Sequence, residues 1–310
     1  MCNLSLKKII TVVLIGTILL TGCTLINDLS SQVISARPLE SPTLEPTPTL
    51  PTTTASHSPT VTLTPTPEPP TPTPTITHTP TPRMVYNEPG SVQAPILLYH
   101  HVQGESAANR YEVSIPDFQA QMFALKDMGY TAIPISVLLQ ALLDGGDLPE
   151  KPVVITFDDG HQSIYEHAFP IMQELGFPGV FYIVANRING SPDFVNIDQL
   201  QEMVSAGWEI GSHGYSHLDM TLNHGLADYE IRQSKLDLQQ ALSTNIQTFA
   251  YPFGTIDPFT AQMVSNSGYK AGMGLGTSKS HTWNTLFYLN RIEIYGWFTV
   301  EDFKTILSGE

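Results

Sequence analysis

From residue 84 to residue 310 the chain switches repeatedly between two hydrophobic periods, and that alternation leaves few architectures open. The short apolar runs "APILLY", "YTAIPI", "PVVITF", "PGVFYIV", "GWEIGS", "QTFAYP", "YKAGMG" and "LNRIEIY" have the length and the β-branched or aromatic content of strands. Several lack polar alternation, as expected of a sheet covered on both faces. Between them lie amphipathic segments. "IPDFQAQMFALKDMG" places Phe118, Met122, Leu125 and Met128 on one helical face, and "ISVLLQALLDGG", "IYEHAFPIMQELG", "IDQLQEMVSAG", "LADYEIRQSKLDLQQAL" and "DPFTAQMVSNSG" read likewise. Strand and helix alternating over this length predict a single α/β domain, a barrel or a doubly wound sheet, with chemistry at the carboxyl ends of the strands.

The first 83 residues follow other rules. Lys7 and Lys8 precede an apolar run, Ile9 to Leu20, that is short for a bilayer span and closes on "LTGC". The pattern resembles a bacterial lipoprotein signal over residues 1–22, with Cys23 as the lipidated first residue of the mature chain; an uncleaved membrane anchor is the alternative. Either reading exports the protein and tethers it to a membrane. Residues 23–83 form a linker in which Pro38 to Pro82 carries 14 prolines in 45 residues. Such a Thr-Pro tract has too little apolar surface to repay ordering and reads as an extended spacer. At full polyproline extension it reaches on the order of 140 Å.

Composition removes some partners. With 14 Lys and Arg against 29 Asp and Glu, the chain lacks the basic surface that nucleic-acid binding requires. Both cysteines precede residue 24, so residues 84–310 form no internal disulfide. A single copy on a stalk is the expected state.

The stretch "VVITFDDG" runs a buried strand straight into Asp158 and Asp159. Two adjacent carboxylates repel, and burying either without a partner costs several kcal/mol or protonates it. A positive group must sit beside them. "GSHGYSH" supplies a candidate, because His213 and His217 are spaced to aim two imidazoles at one point. Such a pair alone is commonly helix surface. Combined with a strand-end Asp-Asp, it points to a divalent ion held by two imidazoles and one carboxylate, while the other carboxylate stays ionised and takes a proton from water.

These residues resemble the motifs of the polysaccharide deacetylases of carbohydrate esterase family 4. "TFDD", Thr156 to Asp159, matches the first motif, and His213 to His217 matches the second with Gly214 at the hydroxyl position. The resemblance implies a distorted (β/α)7 barrel, Asp158 as catalytic base, and Asp159, His213 and His217 as ligands of one metal ion. That ion is Zn2+ by ligand type, with Co2+ and Ni2+ as alternatives. The implied reaction is hydrolysis of N-acetyl groups on an extracellular N-acetylglucosamine polysaccharide. Rival readings are an O-acetyl esterase of the xylan type and a non-catalytic wall-binding module.

The third family motif is partly kept in "FAYPFG". Ala250 replaces its arginine and Phe253 its tyrosine, whose backbone N–H is the oxyanion donor in the family. Arg291 is a possible substitute for orienting the base, or else an ordinary surface ion pair. The residues after Arg291 contain no histidine, so the family's usual C-terminal acid is missing. "PILLYHHV" instead resembles members acting on poly-β-1,6-N-acetylglucosamine, whose acid lies in an N-terminal Tyr-His motif. First and last strands of a barrel are neighbours, which lets His100 take that place. Strand alternation predicts that only one of His100 and His101 faces the metal, and the position after Tyr99 selects His100. His161, His167, His224 and His281 read as surface or structural, although His161 follows the DDG turn and could touch substrate. Trp283 and Trp297 either stack on a sugar or fill core.

Overall fold

The structure is a computed structural model and describes residues 82–309. The expected signal at residues 1–22, Cys23 and the linker as far as residue 81 lie outside the described residues. The first described strand begins at Met84.

Eight parallel strands carry the fold: β1 Ile96–Tyr99, β2 Thr131–Ala132, β3 Pro152–Phe157, β4 Val180–Ile183, β5 Glu209–Ser212, β6 Thr248–Ala250, β7 Ala271–Met273 and β8 Ile292–Glu293. Their order is β7-β6-β5-β4-β3-β1-β8, with β2 pairing the start of β3. Every pairing along this path is parallel, and each of the eight apolar runs picked out above contains one of the strands. The first strand lies between β3 and β8, with Leu97 opposite Ile155 and Ile292. The seven-strand path curls toward closure as Gly274 N–H and Gly276 N–H donate to Leu289 and Arg291 carbonyls at 2.8 and 3.0 Å. Glycine is required at both, since a Cβ on Gly274 would strike the Tyr288 ring and one on Gly276 the Asn290 amide. The result is a distorted (β/α)7-type barrel.

Period-two alternation decides what each strand residue meets. On β3, Val153, Ile155 and Phe157 belong to the outer core with Phe118, Met122 and Leu125 of α1 (Ile115–Asp127). Val154 faces inward, in a second cluster with Ile96, Val180, Tyr182 and Ala271. Leu138, Leu139 and Leu142 of α2 (Ile135–Asp144) complete that cluster near the strands' amino ends. The interior is thus filled at one end, and at the other the same inward face opens into a cavity.

The remaining helices are α3 Phe169–Leu175, α4 Ile197–Ser205, α5 His224–Leu242, α6 Pro258–Asn266 and α7 Val300–Ser308. The segment expected as one helix over "IYEHAFPIMQELG" divides: Ile164–Ala168 is a π-helical turn and α3 begins at Phe169. Pro170 is the cause, because it has no N–H for the preceding turn and is tolerated only near a helix start. Helix α7 escaped the sequence reading, though its capping box, Thr299 with Asp302, was visible in "TVED". So did the antiparallel ribbon of Met84–Asn87 with Gly146–Pro149, whose Gly, Asp and Pro content disguises a strand.

Candidate active site

A cavity of about 390 Å³ opens at the carboxyl ends of the strands. β3 delivers Asp158 and Asp159, the loop after β5 delivers His213 and His217, the loop after β6 delivers Phe253, the end of β1 delivers His100, and the last strand delivers Arg291 and Glu293. All six residues singled out for chemistry in the sequence therefore line one cavity.

Asp158 continues the inward face of Val154 and Thr156 and is 2% exposed. Its partner is Arg291, 1% exposed, which donates Nη1–H to Oδ1 at 2.6 Å and Nη2–H to Oδ2 at 2.7 Å. Arg291 Nε–H donates to the Gly274 carbonyl at 3.3 Å, and its guanidinium lies 5.3 Å from the Tyr182 ring centroid. Of the two readings of Arg291, the structure selects the buried, bidentate one and rejects the surface pair. Burial alone pushes the Asp158 carboxyl up, but Arg291, helped by His213, holds it at about 2. Asp158 is therefore ionised at neutral pH despite its burial.

The neighbouring groups form a donor set. His213 Nδ1 bonds the Ala250 carbonyl at 2.8 Å, which assigns the proton to Nδ1 and leaves the Nε2 lone pair facing the cavity. His217 Nε2 stands 3.3 Å and His213 Nε2 4.0 Å from Asp159 Oδ1. Burial and the adjacent His213 push His217 down to about 4, which keeps its imidazole neutral, as ligation requires. One atom from each of Asp159, His213 and His217 lies within 4.8 Å of the others. Tetrahedral ligands at about 2.0–2.1 Å from zinc lie about 3.4 Å apart, so the set fits a divalent ion after small adjustments. Two imidazoles and a carboxylate also match the ligand chemistry of zinc, cobalt or nickel.

Three site residues share a costly backbone. Asp159, His217 and Phe253 have φ of 72°, 64° and 61°, in the left-handed region that non-glycine residues rarely occupy. Each such residue costs of order 1–3 kcal/mol and persists only where its surroundings over-determine it. For His217 the surroundings are Glu230 of α5, 4% exposed, whose carboxylate accepts from the N–H groups of Tyr215 and Ser216 and from the Ser216 hydroxyl at 2.6–2.9 Å. For Asp159 they include Arg187, which donates to Oδ1 at 3.2 Å. For Phe253 they include the His217 ring, 4.5 Å away at 70°. Gly214 is itself left-handed at φ 80°, and a Cβ there would lie 3.2 Å from Glu230 Oε2.

Tyr99 and His100 divide as the pleat dictates. The Tyr99 hydroxyl donates outward to Gln121 of α1 at 2.9 Å, and His100 faces inward. Its Nδ1 is buried without a hydrogen-bond partner, 4.0 Å from Glu293 Oε1. Burial pulls its pKa below the usual histidine value, while Asp158, Asp159 and Glu293 work against that pull. His101 also lines the cavity. The main ladder ends at Tyr99, and His101 starts a separate pairing with Glu112, which breaks the alternation. His101 stacks on His161 at 4.1 Å, burial and that neighbour driving its pKa to about 4. His224 pairs with Asp257 and His281 bonds the Ala94 carbonyl, both structural as read.

Sequence reasoning missed Glu230, Arg187, Arg110 and Glu293. Arg187 and Glu293 are far in sequence from the motifs they serve, and Arg110 and Glu230, though nearer, reach them only through the fold.

Such a constellation, an ionised strand-end carboxylate beside an Asp-His-His donor set in an α/β barrel, defines a hydrolase-type site. Residues 145–272 match the family model for polysaccharide deacetylase. The matched stretch contains both paired motifs, Asp158-Asp159 and His213 to His217, on which the resemblance rested. The chain is 26% identical over 189 residues, 56% of its own length and 65% of the relative's, to a poly-beta-1,6-N-acetyl-D-glucosamine N-deacetylase of Staphylococcus epidermidis. A Streptococcus pyogenes deacetylase solved with acetate superposes with a TM-score of 0.63 at 26% identity, over 70% of this chain and 98% of that one. The IcaB structure from Ammonifex degensii, at 23% identity, shares the fold with a TM-score of 0.60, over 72% of this chain and 97% of that one.

Proposed function

We propose that this protein removes N-acetyl groups from an extracellular N-acetylglucosamine polysaccharide, with a divalent ion held by Asp159, His213 and His217. The observation that carries the reading is the sharing of one cavity by two groups suited to opposite proton roles, the ionised Asp158 and the imidazole of His100. When bound, the ion supplies positive charge that polarises the acyl carbonyl and acidifies water.

The chain's own groups do the rest. Asp158, aligned by both bonds from Arg291, takes a proton from the attacking water as its oxygen adds to the acetamide carbon. The Phe253 backbone N–H is assigned to the developing oxyanion. His100 then gives its proton to the departing nitrogen, the C–N bond breaks, and acetate and a glucosamine amine result. Proton return from Asp158 to His100 through solvent restores both groups. Glu293, at 4.0 Å, favours the imidazolium that this role needs.

Export and attachment through Cys23 belong to the same proposal, supported by the "LTGC" pattern and the Thr-Pro tract. A membrane-held enzyme on a long spacer suits an extracellular polymer.

The test is acetate release from β-1,6- and β-1,4-linked N-acetylglucosamine oligomers, peptidoglycan and acetylxylan. Release from a glucosamine polymer is expected, with His100→Ala lowering kcat by about 10²- to 10⁴-fold while bound metal is retained. His101→Ala should be much milder. Release from acetylxylan alone would establish the ester reading instead, unchanged release by Asp158→Asn would remove Asp158 as the base, and no release from any of these polymers would leave the binding module.

A further inference from the structure

We propose that Arg110, Tyr295 and Trp297 form a stacking platform for the sugar next to the one that reacts, so that the enzyme reads its polymer beyond a single residue. The inference rests on the glycan reading of the site. Trp297 is 61% exposed, and its indole lies 5.1 Å from the Tyr295 ring at an interplanar angle of 33°. The Arg110 guanidinium lies 4.8 Å from the Tyr295 centroid and 4.9 Å from that of Tyr111. Tyr111 in turn stands 4.9 Å from His100. An unbroken row of flat groups therefore leads from the catalytic cavity to the surface.

Space and polarity along this row suit a pyranose. A second cavity of about 720 Å³ is lined by Tyr295 and shares Arg110, Leu275, Arg291 and Glu293 with the catalytic one. A sugar ring has an apolar C–H face that lies flat on an aromatic ring and hydroxyls around its edge that need donors and acceptors. Trp297, 61% exposed, offers the first. Arg110, bonded to Glu293 at 2.8 Å, and the Tyr295 hydroxyl 3.3 Å from Arg110 offer the second. An exposed indole packed on Tyr295, which itself lines a polar-edged groove, is the pattern of a binding surface rather than of a core that failed to close.

The platform is held in place from beneath. Gly296 N–H donates to the Arg110 carbonyl at 3.0 Å, and a Cβ on Gly296 would collide with the carbonyls of Glu112 and Asn109. The aromatic pair and the loop that carries Arg110 are thereby fixed against each other before any ligand arrives, which reduces the ordering cost of binding.

The test compares wild type, Trp297→Ala and Trp297→Phe on N-acetylglucosamine dimer and pentamer, in both β-1,6 and β-1,4 linkage. Calorimetric binding of the pentamer should weaken about tenfold in Trp297→Ala and recover largely in Trp297→Phe. The ratio of kcat/KM for pentamer over dimer should fall by a similar factor. A structural defect lowers both lengths together and keeps the ratio, so an unchanged ratio and unchanged pentamer affinity overturn the platform. If wild type deacetylates none of the oligomers, the functional proposal fails, yet Trp297-dependent pentamer binding still upholds the platform. Trp297-dependent binding to phosphatidylglycerol–phosphatidylcholine vesicles, with no oligomer binding, would reassign the patch to a membrane surface and overturn it.

Discussion

Replacing Arg291 by Met removes the partner of a carboxylate that is 2% exposed, and the structure dictates how the loss depends on pH. Each pKa unit is worth more than 1 kcal/mol, so holding Asp158 at about 2 instead of 3.8 represents on the order of 2–3 kcal/mol. Because the carboxyl is depressed in the folded protein, that stabilisation is present above its ordinary pKa and is lost as pH falls toward 2. In Arg291→Met burial, the largest influence on the carboxyl, is opposed only by His213 and His100 and raises it, so stability is highest at low pH and declines as pH rises through the raised value. The gap between variant and wild type should therefore widen with pH, reaching about 3–5 kcal/mol near pH 8 and shrinking by about half near pH 5. Urea unfolding in the presence of a chelator reads this on the metal-free protein. A cycle with Asp158→Asn should show a coupling of at least about 2 kcal/mol. Arg291→Lys should not restore it, since one ammonium cannot make both bonds. A gap below about 1 kcal/mol at both pH values would refute the reasoning, because a buried, bidentate ion pair cannot be removed so cheaply.

Elemental analysis should find about one equivalent of divalent ion in the purified protein, and Asp159→Ala or His213→Ala should lose it; full metal content in both would remove the ligand assignment. Glu209 accepts from the Ser136 N–H and hydroxyl, yet burial raises its carboxyl, so its contribution is greatest below 4.5 and lost as pH rises through the folded value. Glu209→Gln should gain about 0.5–1 kcal/mol near pH 8 and match wild type near pH 4, and a pH-independent difference would contradict this. A chain starting at residue 82 should fold and keep activity. Removing residues through Gly90 strips the ribbon paired with Gly146–Pro149 and should lower Tm by about 5 °C, and an unchanged Tm would show the ribbon to be dispensable.

Strands and helices with a single strong period were legible because burial itself imposes the period. "PVVITF" became a six-residue strand with every residue buried. Asp158, Asp159, His213 and His217 were equally legible, since their spacing within each motif is local. What supports them was not. Arg291 is 133 residues from Asp158, beyond any window of sequence, and Glu230, 15 residues from Tyr215, reaches back to it only through the packing of α5. The place of His101 was not legible for a different reason. Period two holds only while the ladder lasts, and nothing in "YHHV" announces that it stops at Tyr99. Helix α7 and the ribbon at Met84–Asn87 were lost to weak local signals, a capping box in one case and Gly and Pro in the other.

Left-handed backbone at Asp159, His217 and Phe253 makes this site easier to lose than to keep. Glycine at any of the three relieves the strain, so mutation toward it is opposed by the chemistry and favoured by the fold. A descendant freed from the need to react with substrate should erode there first. Asp158 and Arg291 should outlast them, since removing either alone strands a buried charge. Inactive copies of such a domain would then be recognisable by an intact Asp-Arg pair with glycine at the positions of Asp159, His217 and Phe253.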